Sequence, residues 1–171
     1  TGWGEEYHRH IPECKSINYG KRNGKWVELV FQELKIKAPI KIISVPGRFE
    51  KYENFTLDVA HNKQAIKYLI EKDSEYENII IGILEDKKVK DIIRILPQRA
   101  KLMACNLPTK RGISAKKLSE IARDMGYHCS EYSSVKEAMK DVKKMKTLVT
   151  GSFYTVSDAR QYLNLKGHSE L

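Results

Sequence analysis

"ENIIIGILEDK", Glu77–Lys87, is the stretch on which the fold turns. Ile79–Leu84 is a near-continuous apolar run, the mark of a strand buried on both faces. Such a strand needs a layer of helices above and below it, and its neighbours in sequence supply them. Before it, Phe55–Val59 reads as a short strand, and Lys63–Glu71 as a helix with Ala65, Ile66, Leu69 and Ile70 on one face. After it, Lys88–Leu96 carries Val89, Ile92, Ile93 and Leu96 at helical spacing, and Lys101–Cys105 reads as the next strand.

The alternation continues to the end of the chain. Ser114–Gly126 starts at an N-cap serine, repeats Leu118, Ile121, Ala122 and Met125, and stops at a C-cap glycine. Tyr127–Tyr132 is a short strand and Ser134–Lys144 a helix with Val135, Ala138, Met139 and Val142 inward. Thr147–Thr150 is another strand, and Tyr154–Leu163 the last helix. Five β–α units in succession predict an α/β fold: a three-layer Rossmann-like domain, its mostly parallel sheet covered by helices on both faces. In such sheets ligands gather beyond the carboxyl ends of the strands.

Composition sets the class. A hydrophobic fraction of 41% with 31% charged residues is that of a globular protein, not a disordered one. No apolar run is long enough for a membrane span, and no signal segment opens the chain. The first residue, Thr1, suggests a processed or excised chain. Lys plus Arg total 31 against 22 Asp plus Glu, a formal +9. Lys35, Lys37, Lys41, Lys63, Lys67 and Lys72 are nonetheless scattered, as on solvated faces that also favour a phosphorylated or carboxylated ligand. Cys14, Cys105 and Cys129 form no CxxC and no even framework, which predicts a reducing cytoplasm and no structural metal.

The first fifty residues differ. The segment from Lys15 onward could begin as a strand and become a helix around Trp26–Leu34, with Pro39 as its stop. Residues 1–40 read as a linker or the remnant of a preceding domain, and residues 41–171 as the domain proper. "GKRNGKW", Gly20–Trp26, invites a P-loop reading, but Tyr19 and Trp26 stand where glycine and Ser or Thr are required. A turn built on Asn23-Gly24 is expected there instead. Glu5, Glu6, His8 and His10 have metal-ligand chemistry but no second group at a defined spacing, so an exposed polar segment is expected.

Candidate ligand residues follow the strands. Asp58 closes the first and can accept hydrogen bonds from a vicinal diol such as a ribose. His61 and Asn62 open the next helix, where free N–H groups favour anions; equally, Asn62 caps the helix and His61 is a solvated loop residue. In "GILEDKK", Glu85 or Asp86 can serve as N-cap, and Lys87 can reach over the mouth of the sheet toward a carboxylate. After the last strand, Gly151 permits close backbone approach, and Ser152 either caps the helix or offers its hydroxyl to an anion.

Taken in order, "PGRFE" (Pro46–Glu50), "LDVAHN" (Leu57–Asn62), "GILEDK" (Gly82–Lys87) and "LVTGSFYTV" (Leu148–Val156) resemble one family. They are similar to the C-terminal, glutamate-ligase domain of folylpolyglutamate synthase and dihydrofolate synthase, in the Mur ligase superfamily. Arg111-Gly112 and "SSVKEAM" from Ser133 fall in similar places, and the resemblance covers about residues 40 to 165. It implies an ATP-dependent, ADP-forming ligase of folate biosynthesis and one-carbon metabolism. There ATP phosphorylates a folate or pteroate carboxylate, and L-glutamate attacks the acyl phosphate. ATP and Mg would be held mainly by an N-terminal P-loop ATPase domain that these residues lack, so the fragment alone would be inactive. No catalytic residue and no metal ligand carries over. Arg48 and Asp58 would serve the nucleotide, His61, Lys87 and Ser152 the glutamate, and Asn62 with Gly151 would shape the loops. Lys63 stands where the family often has proline, which leaves the helix entry open. The alternatives are the equivalent domain of a sibling Mur-type amino-acid ligase, or a non-catalytic basic module for nucleotide or nucleic acid. The resemblance argues for neither a nucleic-acid nor a membrane partner.

Overall fold

Ile79, Ile80 and Ile81 lie in the middle of a six-stranded sheet, and none exposes more than 1% of its surface. The computed structural model describes residues 19–35, 45–142 and 144–166. It separates into two units, Thr1–Ser44 and Val45–Leu171.

In the second unit the elements run β1 (Glu50–Tyr52), β2 (Phe55–Leu57), α2 (Lys63–Lys72), β3 (Asn78–Ile81), α3 (Val89–Ile93), β4 (Lys101–Cys105), α4 (Ala115–Asp124), β5 (Cys129–Tyr132), α5 (Val135–Asp141), β6 (Thr147–Thr150) and α6 (Phe153–Tyr162). The sheet order is β1-β2-β6-β3-β4-β5. Strands β2 to β5 and β6 pair in parallel, with Ile79 opposite Leu148 and Leu102, while β1 pairs antiparallel to β2.

Side chains alternate across the pleat and so sort into two cores. Ile79, Ile81, Leu102 and Leu148 face α2, α3 and α4, packing on Ile66, Leu69, Ile92, Ile93 and Leu118. Leu57, Ile80, Met103 and Val149 face α5 and α6, packing on Val135, Met139, Val156 and Ala159. The expected three-layer α/β architecture is therefore present, with helices on both faces of a mostly parallel sheet.

Edges differ from the sequence reading in instructive ways. The antiparallel strand β1 was not expected; it is short and polar, and the Glu53–Asn54 turn, with Glu53 at φ +51°, folds it back on β2. Neither Glu85 nor Asp86 caps α3: Lys88 stands at the N-cap without a side-chain bond, and Asp86 pairs with Lys87 instead. The C-terminal end of α3 is tied down from a distance. The buried Tyr127 hydroxyl shares its proton between the Ile93 and Leu96 carbonyls at 2.7 and 2.8 Å. Tyr127→Phe is expected to cost about 1–2 kcal/mol in urea denaturation, because it removes the donor and leaves buried carbonyls short of a partner.

In the first unit, α1 (Tyr19–Glu33) is an α-helix. The strand expected to open the segment at Lys15 falls outside the described residues as far as residue 18; from Tyr19 the chain is helical, and the turn expected at Asn23-Gly24 does not form. Trp26, Val27, Val30 and Phe31 recur at helical spacing, and helix propagation carries back through Gly24 and Gly20, which cost only about 1 kcal/mol each. Glu5, Glu6, His8, His10 and Pro39 lie outside the described residues.

Candidate functional site

The carboxyl ends of β2, β6 and β3 are neighbours in the sheet, and the loops that leave them are stitched together by main-chain hydrogen bonds. Asp58 N donates to Val149 O at 3.0 Å, Gly151 N to Ala60 O at 3.0 Å, and Gly82 N to Thr150 O at 3.4 Å. The Thr150 hydroxyl adds a bond to Ala60 O at 3.1 Å. Such an edge, where the strand order reverses, is where ligands of α/β sheets collect.

Gly151 is what lets β6 approach β3 so closely. Its φ is +104°, and a Cβ there would stand 2.7 Å from Gly82 O. The Gly82 carbonyl is in turn held by the Thr155 hydroxyl at 2.9 Å. Because that proton goes to a carbonyl, the Ser152 hydroxyl must be the donor in its 2.7 Å bond to Thr155 Oγ1. Ser152 also caps α6, accepting from Thr155 N at 3.1 Å, and is only 2% exposed. It retains one unused lone pair.

On the β2 side, Asp58 is 3% exposed. Oδ2 accepts from Phe49 N and Oδ1 from Ala60 N, both at 2.8 Å. Burial pushes its carboxyl above the usual carboxylate range, while these two amides and the nearby Arg48 and Lys72 charges pull it back. Arg48 is exposed beside it. Three residues beyond Asp58, His61 Nδ1 lies 2.8 Å from Val59 O. A carbonyl only accepts, so Nδ1 carries the proton in that bond and Nε2 of the neutral ring is an acceptor. Asn62 caps α2, its Oδ1 accepting from Ala65 N at 2.9 Å.

Lys87, half-buried in the loop after β3, pairs with Asp86 at 2.9 Å, and that hydrogen bond holds the Asp86 carboxyl below its usual range. The loop is anchored to the one after β4: Glu85 N donates to Arg111 O and Ile113 N to Ile83 O, both at 2.9 Å. Arg48, Asp58, His61, Asn62, Lys87, Gly151 and Ser152 thus all stand in loops at the carboxyl edge, or in the Pro46–Glu50 segment that Asp58 binds.

Two features escaped sequence reading. Phe153, at the start of α6, is 59% exposed, and its ring centroid is 5.9 Å from that of His61, which gives the rim an aromatic wall. A phenylalanine among apolar residues gives no hint of this; its place directly after the cap Ser152 is the only signal. The second is an ion pair between Glu50 and Arg160 of α6, residues 110 apart in sequence, which no local pattern announces.

Among the described residues no group of three or more His, Cys, Asp or Glu side chains is placed to hold a metal ion. No helix among them is long and apolar enough to cross a membrane.

No family model matches the chain. The dihydrofolate synthase/folylpolyglutamate synthase of Buchnera aphidicola subsp. Schizaphis graminum is 33% identical to it, the match taking in 72% of this chain and 32% of that protein. The solved bifunctional folylpolyglutamate synthase/dihydrofolate synthase of Yersinia pestis, complexed with AMPPNP and Mn ion, superposes with a TM-score of 0.60 at 30% identity, over 71% of this chain and 32% of that one. A bifunctional folylpolyglutamate synthase/dihydrofolate synthase structure with Mn, AMPPNP and L-glutamate bound gives the same TM-score, identity and shares. The chain spans about a third of the length of the relatives it matches.

Proposed function

We propose, for a chain that matches the C-terminal domain of the dihydrofolate synthase/folylpolyglutamate synthases in sequence and fold, that it orients the incoming amino acid in an ATP-dependent folate:glutamate ligase. The observation that carries this reading is the convergence of the loops after β2, β6 and β3. That convergence brings a hydrogen-bond acceptor on His61, the α6 end capped by Ser152 and the Lys87 ammonium to one edge.

L-Glutamate offers one ammonium and two carboxylates, and the edge offers complementary groups. Lys87 pairs a carboxylate, as it already pairs Asp86, and its three donors allow it to serve both. The α6 N-terminus receives the other carboxylate, with the Phe153 ring beside the aliphatic part. His61 Nε2 accepts from the ammonium and aims its nitrogen at the electrophile. Arg48 and Asp58 form the corner on the nucleotide side. Asn62 and Gly151 keep their structural roles.

The reaction is acyl transfer: ATP converts a folate or pteroate carboxylate to an acyl phosphate, and the glutamate amine displaces phosphate. The chemistry ATP supplies is that activation. What this chain does is hold the nucleophile in line, which is worth several kcal/mol of barrier when the geometry is right. Among its described residues no three or more His, Cys, Asp or Glu side chains stand together to hold a metal, and no step here runs through a magnesium ion. The ATPase and its metal are assigned to a P-loop domain of the parent enzyme, and the domain by itself is inactive in this account. We place the enzyme in the cytoplasm, a setting consistent with Cys105 and Cys129 as free thiols.

The test is a chain completed to the relatives' length with the N-terminal part of the Buchnera synthase, given ATP, a pteroate or folate and a panel of amino acids. Mass spectrometry should find product with L-glutamate alone. Efficient use of alanine or aspartate in its place would move the domain to a sibling ligase and overturn the folate reading.

A further inference from the structure

His61 and Phe153 follow neighbouring strands, one in the turn after β2 and the other at the start of α6, after β6. The turn that carries His61 is fixed at several points. Val59 N donates to Gly47 O at 2.9 Å, while Ala60 O accepts from Gly151 N at 3.0 Å and from the Thr150 hydroxyl at 3.1 Å. Phe153 stands on firm ground too, since the buried Ser152 before it caps α6, and α6 buries Val156 and Ala159. The two ring centroids are 5.9 Å apart with the planes tilted by 42°, inside the range where aromatic pairs attract.

The imidazole is tied to its own turn by Nδ1–H donating to Val59 O at 2.8 Å. That bond keeps the proton on Nδ1 and leaves Nε2 as an acceptor. A neutral histidine side chain in water favours the opposite tautomer, so the bond holds the ring against that preference. One half-buried hydrogen bond is a weak restraint. Phe153 supplies a second, because the aromatic contact and the Val59 bond are satisfied in the same imidazole rotamer. We propose that Phe153 is a positioning residue for His61: its ring holds the imidazole on Val59 O, in the tautomer whose Nε2 accepts from the glutamate ammonium. This rests on the reading above for what His61 does, and gives Phe153 a task beyond lining the aliphatic part of the ligand.

Two measurements test this. Phe153 is 59% exposed and belongs to neither core, so it can be truncated without unpacking the sheet. The first measurement needs no ligase activity: a long-range proton–nitrogen correlation spectrum of the chain labelled at its five histidines, at alkaline pH. His61, identified by its loss in His61→Ala, should be mainly the Nδ1–H tautomer. In Phe153→Ala the ratio of Nδ1–H to Nε2–H should fall about threefold or more, and in Phe153→Tyr, which keeps the ring, it should hold. A mainly Nε2–H His61 in the unmodified chain, an unaltered ratio in Phe153→Ala, or an equal fall in Phe153→Tyr overturns the proposal whatever the enzyme's substrate.

The second separates positioning from direct contact in the completed enzyme. Phe153→Ala should lower kcat about three- to tenfold and leave the KM for ATP unchanged. In a His61→Ala background the same truncation should cost less than about twofold in kcat, since no imidazole is left to hold. An equal loss in both backgrounds, or none in either, would sink the positioning role.

Discussion

Gly151→Ala is expected to destabilise the Val45–Leu171 unit by about 2–5 kcal/mol, a sizeable part of what holds a domain of this size together. Two independent costs add. At φ +104° an L side chain is strained, at about 1–2 kcal/mol by the left-handed precedent. The new Cβ would also stand 2.7 Å from Gly82 O and 3.0 Å from Ile81 Cγ1, and the first of these is backbone that cannot swing aside. Moving the Gly82 carbonyl would pull on Thr155 and through it on Ser152, so the damage should spread to the rim of the site. Gly82→Ala is the informative comparison. There the closest obstacle, at 2.5 Å, is the end of the flexible Leu107 side chain, and the loss should be smaller. Urea denaturation of both variants measures this. A Gly151→Ala loss below about 0.5 kcal/mol would contradict the close β6–β3 turn.

Lys87→Ala in the completed enzyme is expected to raise the KM for glutamate about 10- to 100-fold, with a smaller effect on ATP. The estimate follows from removing one partner of a half-buried ion pair between ligand carboxylate and ammonium. Stability should barely move, since the existing Lys87–Asp86 pair is largely solvated, and such pairs contribute about 0–1 kcal/mol. Asp86→Asn supplies the control: with its competitor neutralised, Lys87 should bind glutamate as well as before or better. Unchanged glutamate kinetics in Lys87→Ala would remove that residue from the site.

The strands that an apolar run announces were the most legible part of the fold. The bounds of β4 and β6 agree with the sequence reading, and β3 was recognisable from its three consecutive isoleucines. The polar edge strand β1 was not legible, because its pairing depends on a turn that places Glu53 at positive φ, which glutamate does not advertise. Helix α1 was misread at its N-terminal half because glycines that usually break helices were carried along by the apolar stripe beyond them. The strand-end rule found the region of the candidate site, since parallel topology sends every β–α loop to one edge. It could not say that β6 lies between β2 and β3, which is why Gly151 contacts Gly82 and Ala60. Nor could it foresee where the Asp58 carboxylate goes. Its partner Phe49 N points inward only because the loop is left-handed there, a conformation set by tertiary contacts.

The central claim is that this domain serves glutamate ligation to a folate-type carboxylate, and ADP release tests it most directly. In the chain completed with a P-loop domain, ADP should form at a substantial rate only when ATP, magnesium, a folate or pteroate and L-glutamate are all present. Omitting any one should silence it. Release of ADP that ignores glutamate, or ligation that proceeds equally well with this domain removed, would contradict the account.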